Sequence, residues 1–304
     1  MPRLMTKDDM VGIFPPVVTP FHDNEEINLD ALRREVDYYL TLETTGICVG
    51  GSTGEGHALS AAELGQITKA ANEQIGGTVP LLAGIITMTT RDAVEKGKRA
   101  AQAGAMGLMI TPPAYQIASD DGLYDFYATI HQETGLPTMV YNVNVNVPVK
   151  PPLMRRMAAN QSETGLFATK ESIGGSLEWL TELLETVGDK ISVTWATDWT
   201  LYPGLALGAR GSISAAGAIL PRQCLAIWNA IQDGDFETAQ RMNVLVLGVS
   251  NAISRVNWPA GVKAAINYRR GVGKARAPFH TIPAEQVKRI CEAVDLADAE
   301  LERL

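Results

Sequence analysis

Lys170 closes the apolar run Gly165-Leu-Phe-Ala-Thr-Lys170, and Glu171 and Ser172 follow it. A lysine at the end of a buried strand sits where partial desolvation disfavours its ammonium form. A neutral amine attacks ketones to give an iminium, which then acts as an electron sink. The bland alternatives are a side chain reaching out to solvent or an ion pair with Glu171. The other lysines fall in helical or loop contexts, so position favours Lys170. Tyr141 ends a second apolar run, Pro137-Thr-Met-Val-Tyr-Asn142. A phenol beside an imine can carry a proton to and from the substrate oxygen; a core tyrosine with a satisfied hydroxyl is the competing reading. The third feature is Gly50-Gly-Ser-Thr-Gly-Glu-Gly56. Its glycines let several N–H groups face one point, and a helix begins a few residues later. Such a nest, with the hydroxyls of Ser52 and Thr53, can hold a carboxylate without any cationic side chain. It lacks the Gly-Lys-Ser/Thr ending of a nucleotide phosphate loop. Taken alone it is a glycine-rich turn.

These groups converge only if the elements carrying them end at one place. Short apolar runs alternate with longer stretches of helical period. Strands are expected at Ile13 to Thr19, Gly46 to Val49, Pro80 to Ile86, Met106 to Ile110, Leu136 to Asn142, Leu166 to Lys170, Ile191 to Trp195 and Gly211 to Ser214. Between them lie helical segments such as Asn28 to Leu42, where Leu29, Leu32, Val36 and Tyr39 recur three or four apart. Ser60, with Glu63 three residues on, reads as a capping box. Eight β-then-α units in series fit a closed (β/α)₈ TIM barrel better than an open doubly wound sheet, which usually has fewer strands. Catalytic groups of a barrel stand at the C-terminal ends of its strands, where Lys170, Tyr141 and the glycine-rich turn all fall. The chain continues as helix over Phe236 to Ile253, Pro259 to Tyr268 and Pro283 to Leu301. The expected organisation is therefore a barrel over residues 1–234 and a C-terminal helical subdomain over residues 235–304.

The remaining composition narrows the function. A chain of 304 residues suits one barrel of roughly 250 residues plus an extension. A net charge of −8 and a pI near 5.1 argue against a nucleic-acid partner, which needs a concentrated basic patch. Cys48, Cys224 and Cys291 are odd in number and far apart, which suits a reducing compartment. Cys48, within Ile47-Cys48-Val49, reads as packed core. Met1 to Met10 carries Lys7, Asp8 and Asp9 rather than the apolar stretch of a signal peptide, and no run approaches the ~18 apolar residues of a membrane span. A cytoplasmic protein with no membrane partner is expected. His22, His57, His131 and His280 lack ligand spacing, so no metal is expected, and no cofactor is expected where a Schiff base serves as the electron sink. His57, just after the glycine-rich turn, either faces the barrel mouth or has a structural role.

Together these motifs resemble the dihydrodipicolinate synthase / N-acetylneuraminate lyase family of Schiff-base aldolases. The likeness runs from Gly12-Ile-Phe-Pro-Pro-Val-Val-Thr-Pro-Phe21 to the C-terminal helices. Its specific parts are GGSTGEG (50–56), VYN (140–142), the Lys170 strand and LGARGSIS (207–214). The resemblance implies a homotetramer in which Lys170 forms the imine and Tyr141 moves the proton. It implies that Ser52 and Thr53 hold the carboxylate of a 2-oxo acid such as pyruvate, with Gly51 and Ile213 beside it, and that Ser52 joins a proton relay. A tyrosine from the neighbouring subunit completes that relay in much of the family, and Tyr115, in Thr111-Pro-Pro-Ala-Tyr-Gln116, is the candidate.

Two departures bear on the second substrate. Synthases of the family usually carry an arginine five residues after the catalytic tyrosine, to meet the aldehyde's carboxylate. Asn146 stands there in this chain and loses that cation. The GGSTGE wording is closer to the lyases, yet Trp199 occupies the place where sialic acid lyases put a glutamate. Asn144 and Asn146, with Trp195, Asp198 and Trp199 at the rim, point to a neutral hydroxylated or aromatic acceptor. The leading expectation is an aldolase or lyase that makes or breaks a C–C bond between pyruvate and an aldehyde. Dehydration of a 2-keto-3-deoxy sugar acid uses the same iminium and comes next, ahead of 4-hydroxy-tetrahydrodipicolinate synthesis. A non-enzymatic sensor of 2-oxo acids is the alternative of another class, and it has no use for an imine-forming amine.

Overall fold

The computed structural model describes residues 3–42 and 44–303; Met1 and Pro2, at the head of the segment read for targeting, and Leu304 lie outside it. Among the described residues eight parallel strands form the fold: β1 (Gly12–Ile13), β2 (Ile47–Val49), β3 (Leu81–Ile85), β4 (Gly107–Ile110), β5 (Thr138–Asn142), β6 (Leu166–Glu171), β7 (Ser192–Trp195) and β8 (Gly211–Ser212). Six of the eight expected runs contain their strand; β6 runs one residue further, to Glu171, and β1 shares only Ile13 with the expected Ile13 to Thr19. The ladder is continuous from β2 to β7, and β1 pairs with β8. Two short links close the ring. A lone bridge joins Pro16 to Cys48, with Val17 N–H donating to Cys48 O at 2.8 Å. On the other side Arg210 N–H donates to Val193 O at 2.9 Å. The first strand is brief because Pro15 and Pro16 have no N–H to give to a ladder.

Strand pleating divides the core in two. Inside the barrel pack Met10, Phe14, Cys48, Leu82, Met109, Met139, Tyr141, Ala168 and Ile213. Outside it, Val49, Leu81, Val140 and Val193 meet the helices through residues such as Leu32, Val36 and Tyr39. Lys170 has the parity of Ala168, so the strand that seals the barrel with Ala168 raises Lys170 on the inside at its upper end. Helix starts follow local capping chemistry. Asn28 Oδ1 accepts from Ala31 N–H at 3.0 Å ahead of the helix Leu29–Leu40. Ser60 and Glu63 make the reciprocal capping box of Ala61–Ile75, at 3.2 and 2.8 Å.

After the helix Pro221–Gln232 the chain adds Phe236–Ser254, Trp258–Arg270 and Ala284–Leu301. These pack on one another, and Trp258, at the head of its helix, reaches the upper end of the barrel. Among the described residues no helix is long and apolar enough to cross a membrane.

Candidate active site

A cavity of about 280 Å³ opens at the C-terminal ends of the strands, with Lys170, Tyr141, Ser52, Thr53 and Ile213 in its wall. Lys170 and Tyr141 are cross-strand partners, which places neighbouring side chains on one face. The amine Nζ lies 3.8 Å from the centre of the Tyr141 ring, and both residues are only 4% exposed. Tyr141 Oη is 3.2 Å from Ser52 Oγ, so the tyrosine meets the amine with its ring face and the serine hydroxyl with its phenolic oxygen.

Glu171 does not pair with Lys170. The pleat turns it to the outer face of β6, where its carboxylate accepts from Asn142 Nδ2 at 3.2 Å, from Trp179 Nε1 at 2.8 Å and from the Thr169 hydroxyl. Burial pushes its carboxyl up to about 7, against the pull of those hydrogen bonds. Lys170 is left without an ion pair among the described residues.

The glycine-rich turn folds back on itself. Glu55 N–H and Gly56 N–H donate to Ser52 O and Gly51 O, each at 3.0 Å. No described group accepts from the N–H of Ser52 or Thr53. The turn therefore offers the cavity two hydroxyls and leaves those two N–H groups unspent. Gly56 is required by space: a Cβ there would lie 1.8 Å from Gly50 O. Glu55 adopts a left-handed φ of 53° and sends its carboxylate away from the cavity, into a buried 2.7 Å ion pair with Lys263. Gly51 is buried, backing onto the Met109 methyl rather than lining the cavity.

The other expected residues separate into two groups. Asp198 and Trp199 line the cavity with Val143, Ser172, Thr197, Ser214 and Trp258. Asp198 accepts from Ala216 N–H at 3.1 Å, and burial raises its carboxyl above the ordinary range. Trp195 is not at the rim. It pairs in register with Glu171, so it too faces outward, fully buried, with its indole donating to Thr200 O at 3.0 Å. His57 is exposed and meets Phe279 edge-on at 5.7 Å. Asn146 is exposed, its N–H bonded to Asn144 Oδ1 at 2.9 Å, and neither asparagine reaches the cavity wall. Tyr115 is 84% exposed and stands clear of the cavity of its own chain. Sequence reading missed Trp258, which lies far along the chain with no local signal to mark it. It also missed Thr197, whose buried Oγ1 has no hydrogen-bond partner.

Comparisons with known proteins bear on the family and the fold. The profile of the "Dihydrodipicolinate synthetase family" matches residues 9–296. A 4-hydroxy-tetrahydrodipicolinate synthase of Pelobacter propionicus is 34% identical over 256 residues, covering 84% of this chain and 87% of its own. The protein of the same name from Enterococcus faecalis is 31% identical and covers 93% of this chain and 98% of its own. Among solved structures, a dihydrodipicolinate synthase from Bacillus anthracis superposes with a TM-score of 0.88 at 27% identity, over 94% of this chain and 97% of its own.

Proposed function

This chain belongs to the dihydrodipicolinate synthetase family and is a lyase of that family, and from that premise we propose that Lys170 forms its Schiff base with pyruvate. The single observation that carries the assignment is the unpaired Lys170 amine, buried beside the Tyr141 phenol that is itself bonded to Ser52. In this reading Lys170 Nζ attacks the ketone carbon, and loss of water gives the iminium. The carboxylate rests on the hydroxyls and free N–H groups of Ser52 and Thr53. Tyr141, in contact with Ser52, takes the proton from the hydroxyl of the bound adduct as its C–C bond breaks. The aldehyde departs, the enamine is protonated, and hydrolysis frees pyruvate.

The second substrate is a neutral hydroxylated or aromatic aldehyde. Among the described residues no arginine, histidine or second lysine lines the cavity, and its one carboxylate is Asp198. A dicarboxylate intermediate would find no cation to receive its far end. Trp199, Trp258 and Val143 offer apolar surface there, and Thr197, Ser172 and Ser214 offer hydroxyls. The chain works as a homotetramer in the cytoplasm, with Tyr115 of one copy completing the relay in its neighbour.

Intact-mass spectrometry after incubation with pyruvate and borohydride tests the assignment. Wild type should gain one reduced pyruvate and Lys170→Ala none; an adduct that persists in the variant removes Lys170 from its role. Cleavage of 4-hydroxy-2-oxo acids with neutral tails should exceed condensation with aspartate semialdehyde. The reverse order would restore the synthase reading.

A further inference from the structure

Behind the reacting pair lies a second polar cluster that the imine chemistry leaves unused. Lys170 and Tyr141 are register partners, and so are the next residues, Glu171 and Asn142. The pleat turns this second pair into the seam between sheet and helices, where both are 0% exposed. Asn142 Nδ2 bonds to both Glu171 oxygens at 3.2 Å, and the Trp179 indole, on the helix Leu177–Val187, bonds to one at 2.8 Å. The Asn142 amide also closes the loop leaving β5: Nδ2 donates to Val149 O at 3.0 Å and Oδ1 accepts from Val149 N–H at 2.9 Å. Backbone bonds carry the arrangement to the neighbouring loops, with Ser172 N–H on Asn142 O and Ala196 N–H on Glu171 O, each at 2.9 Å. Val143, Ser172 and Ala196, the first residues beyond these strands, all line the cavity.

Packing alone would be served by an apolar side chain, since a buried carboxylate is costly unless its acceptor sites are filled. What the carboxylate adds is direction. Its donors come from both strands and one helix, and together they fix how the ends of β5 and β6 are rotated against each other. Resting on the Schiff-base reading above, we propose that Glu171 is a positioning residue that holds Lys170 and Tyr141 in register for proton transfer at the imine. It touches no reacting atom.

Pyruvate alone suffices for the test. Exchange of its methyl protons in deuterated water reports passage through imine and enamine, and borohydride trapping counts the competent sites. In Glu171→Leu the exchange rate per trapped site should fall about tenfold or more at saturating pyruvate, with the KM for pyruvate little changed. Glu171→Gln, which keeps an acceptor oxygen, should recover part of the loss. Trp179→Phe retains the carboxylate and removes one donor, and should lower exchange by about threefold; it decides the matter if Glu171→Leu does not fold. A merely structural role would depress the melting temperature of these variants and leave exchange per trapped site at the wild-type rate, which overturns the inference. A wild type that forms no pyruvate adduct overturns the pyruvate reading and the inference with it.

Discussion

Tyr141 joins two neighbours with different duties, the Lys170 amine against its ring and the Ser52 hydroxyl against its own. In the proposed reading, removing only the phenolic oxygen separates imine formation from proton transfer. Tyr141→Phe should still be trapped by pyruvate and borohydride, while turnover falls by about 10²–10⁴-fold. A turnover within a factor of two of wild type would reassign the proton to another group. Glu171 gives a second test at this scale, through stability. Its carboxyl is raised from 4.5 to about 7 in the fold, so between those values the native state keeps a proton that the unfolded chain has lost. The stabilisation is complete below pH 4.5 and is lost as pH rises through 7, by roughly 3 kcal/mol. Denaturant titrations at pH 5 and pH 8 should show wild type losing most of that relative to Glu171→Gln, which has no proton to lose. Parallel pH profiles for the two proteins would contradict the burial argument.

At the scale of elements, the glycine-rich turn is held from behind by the C-terminal helices. Glu55 makes its buried ion pair with Lys263 of the helix Trp258–Arg270, and its second oxygen accepts from Arg276 N–H at 2.9 Å. Lys263 also donates to Lys274 O at 2.8 Å, and burial draws its ammonium down to about 8 despite Glu55. Breaking one partner of such a pair strands the other. Glu55→Gln should cost about 3–5 kcal/mol, whereas the double variant with Lys263→Met should cost less. Thermal melting of the three proteins checks the order. Since Ser52 and Thr53 ride on the same turn, the surviving folded fraction should also bind pyruvate more weakly. An unchanged KM would show that the turn holds its shape without this tie.

At the scale of the whole molecule, the proposed relay calls for a second copy of the chain. Tyr115 and Ile117 are 84% and 79% exposed on the loop after β4, an arrangement suited to contact with a second copy. If that copy supplies Tyr115, specific activity should fall on dilution as the assembly dissociates, in step with the particle size measured by light scattering. Tyr115→Phe should lower turnover without altering assembly. Fully active monomers would remove Tyr115 from the site.

Much of this was legible in the amino-acid order because it depends on local patterns. Every expected strand run overlaps an observed strand, although the first meets it only at Ile13, since apolar runs bounded by polar turns are the mark of buried parallel strands. The cap at Ser60 is set by a side chain three residues from the N–H that donates to it. Lys170, Tyr141 and the 50–56 turn could be named because a barrel gathers its strand ends at one mouth. Which face each strand-end residue takes was a different matter. Glu171 and Trp195 were open to a place at the mouth until the register put both on the outer face, where one gathers donors and the other fills core. Trp258 reaches the cavity only through the packing of the C-terminal helices, and Asn146 leaves it because the Asn142 amide pinches off its loop. Sequence determined which elements form and which residues end them. Tertiary structure decided which side chains share a cavity, because register and helix packing join residues far apart in the chain and no local preference encodes that meeting.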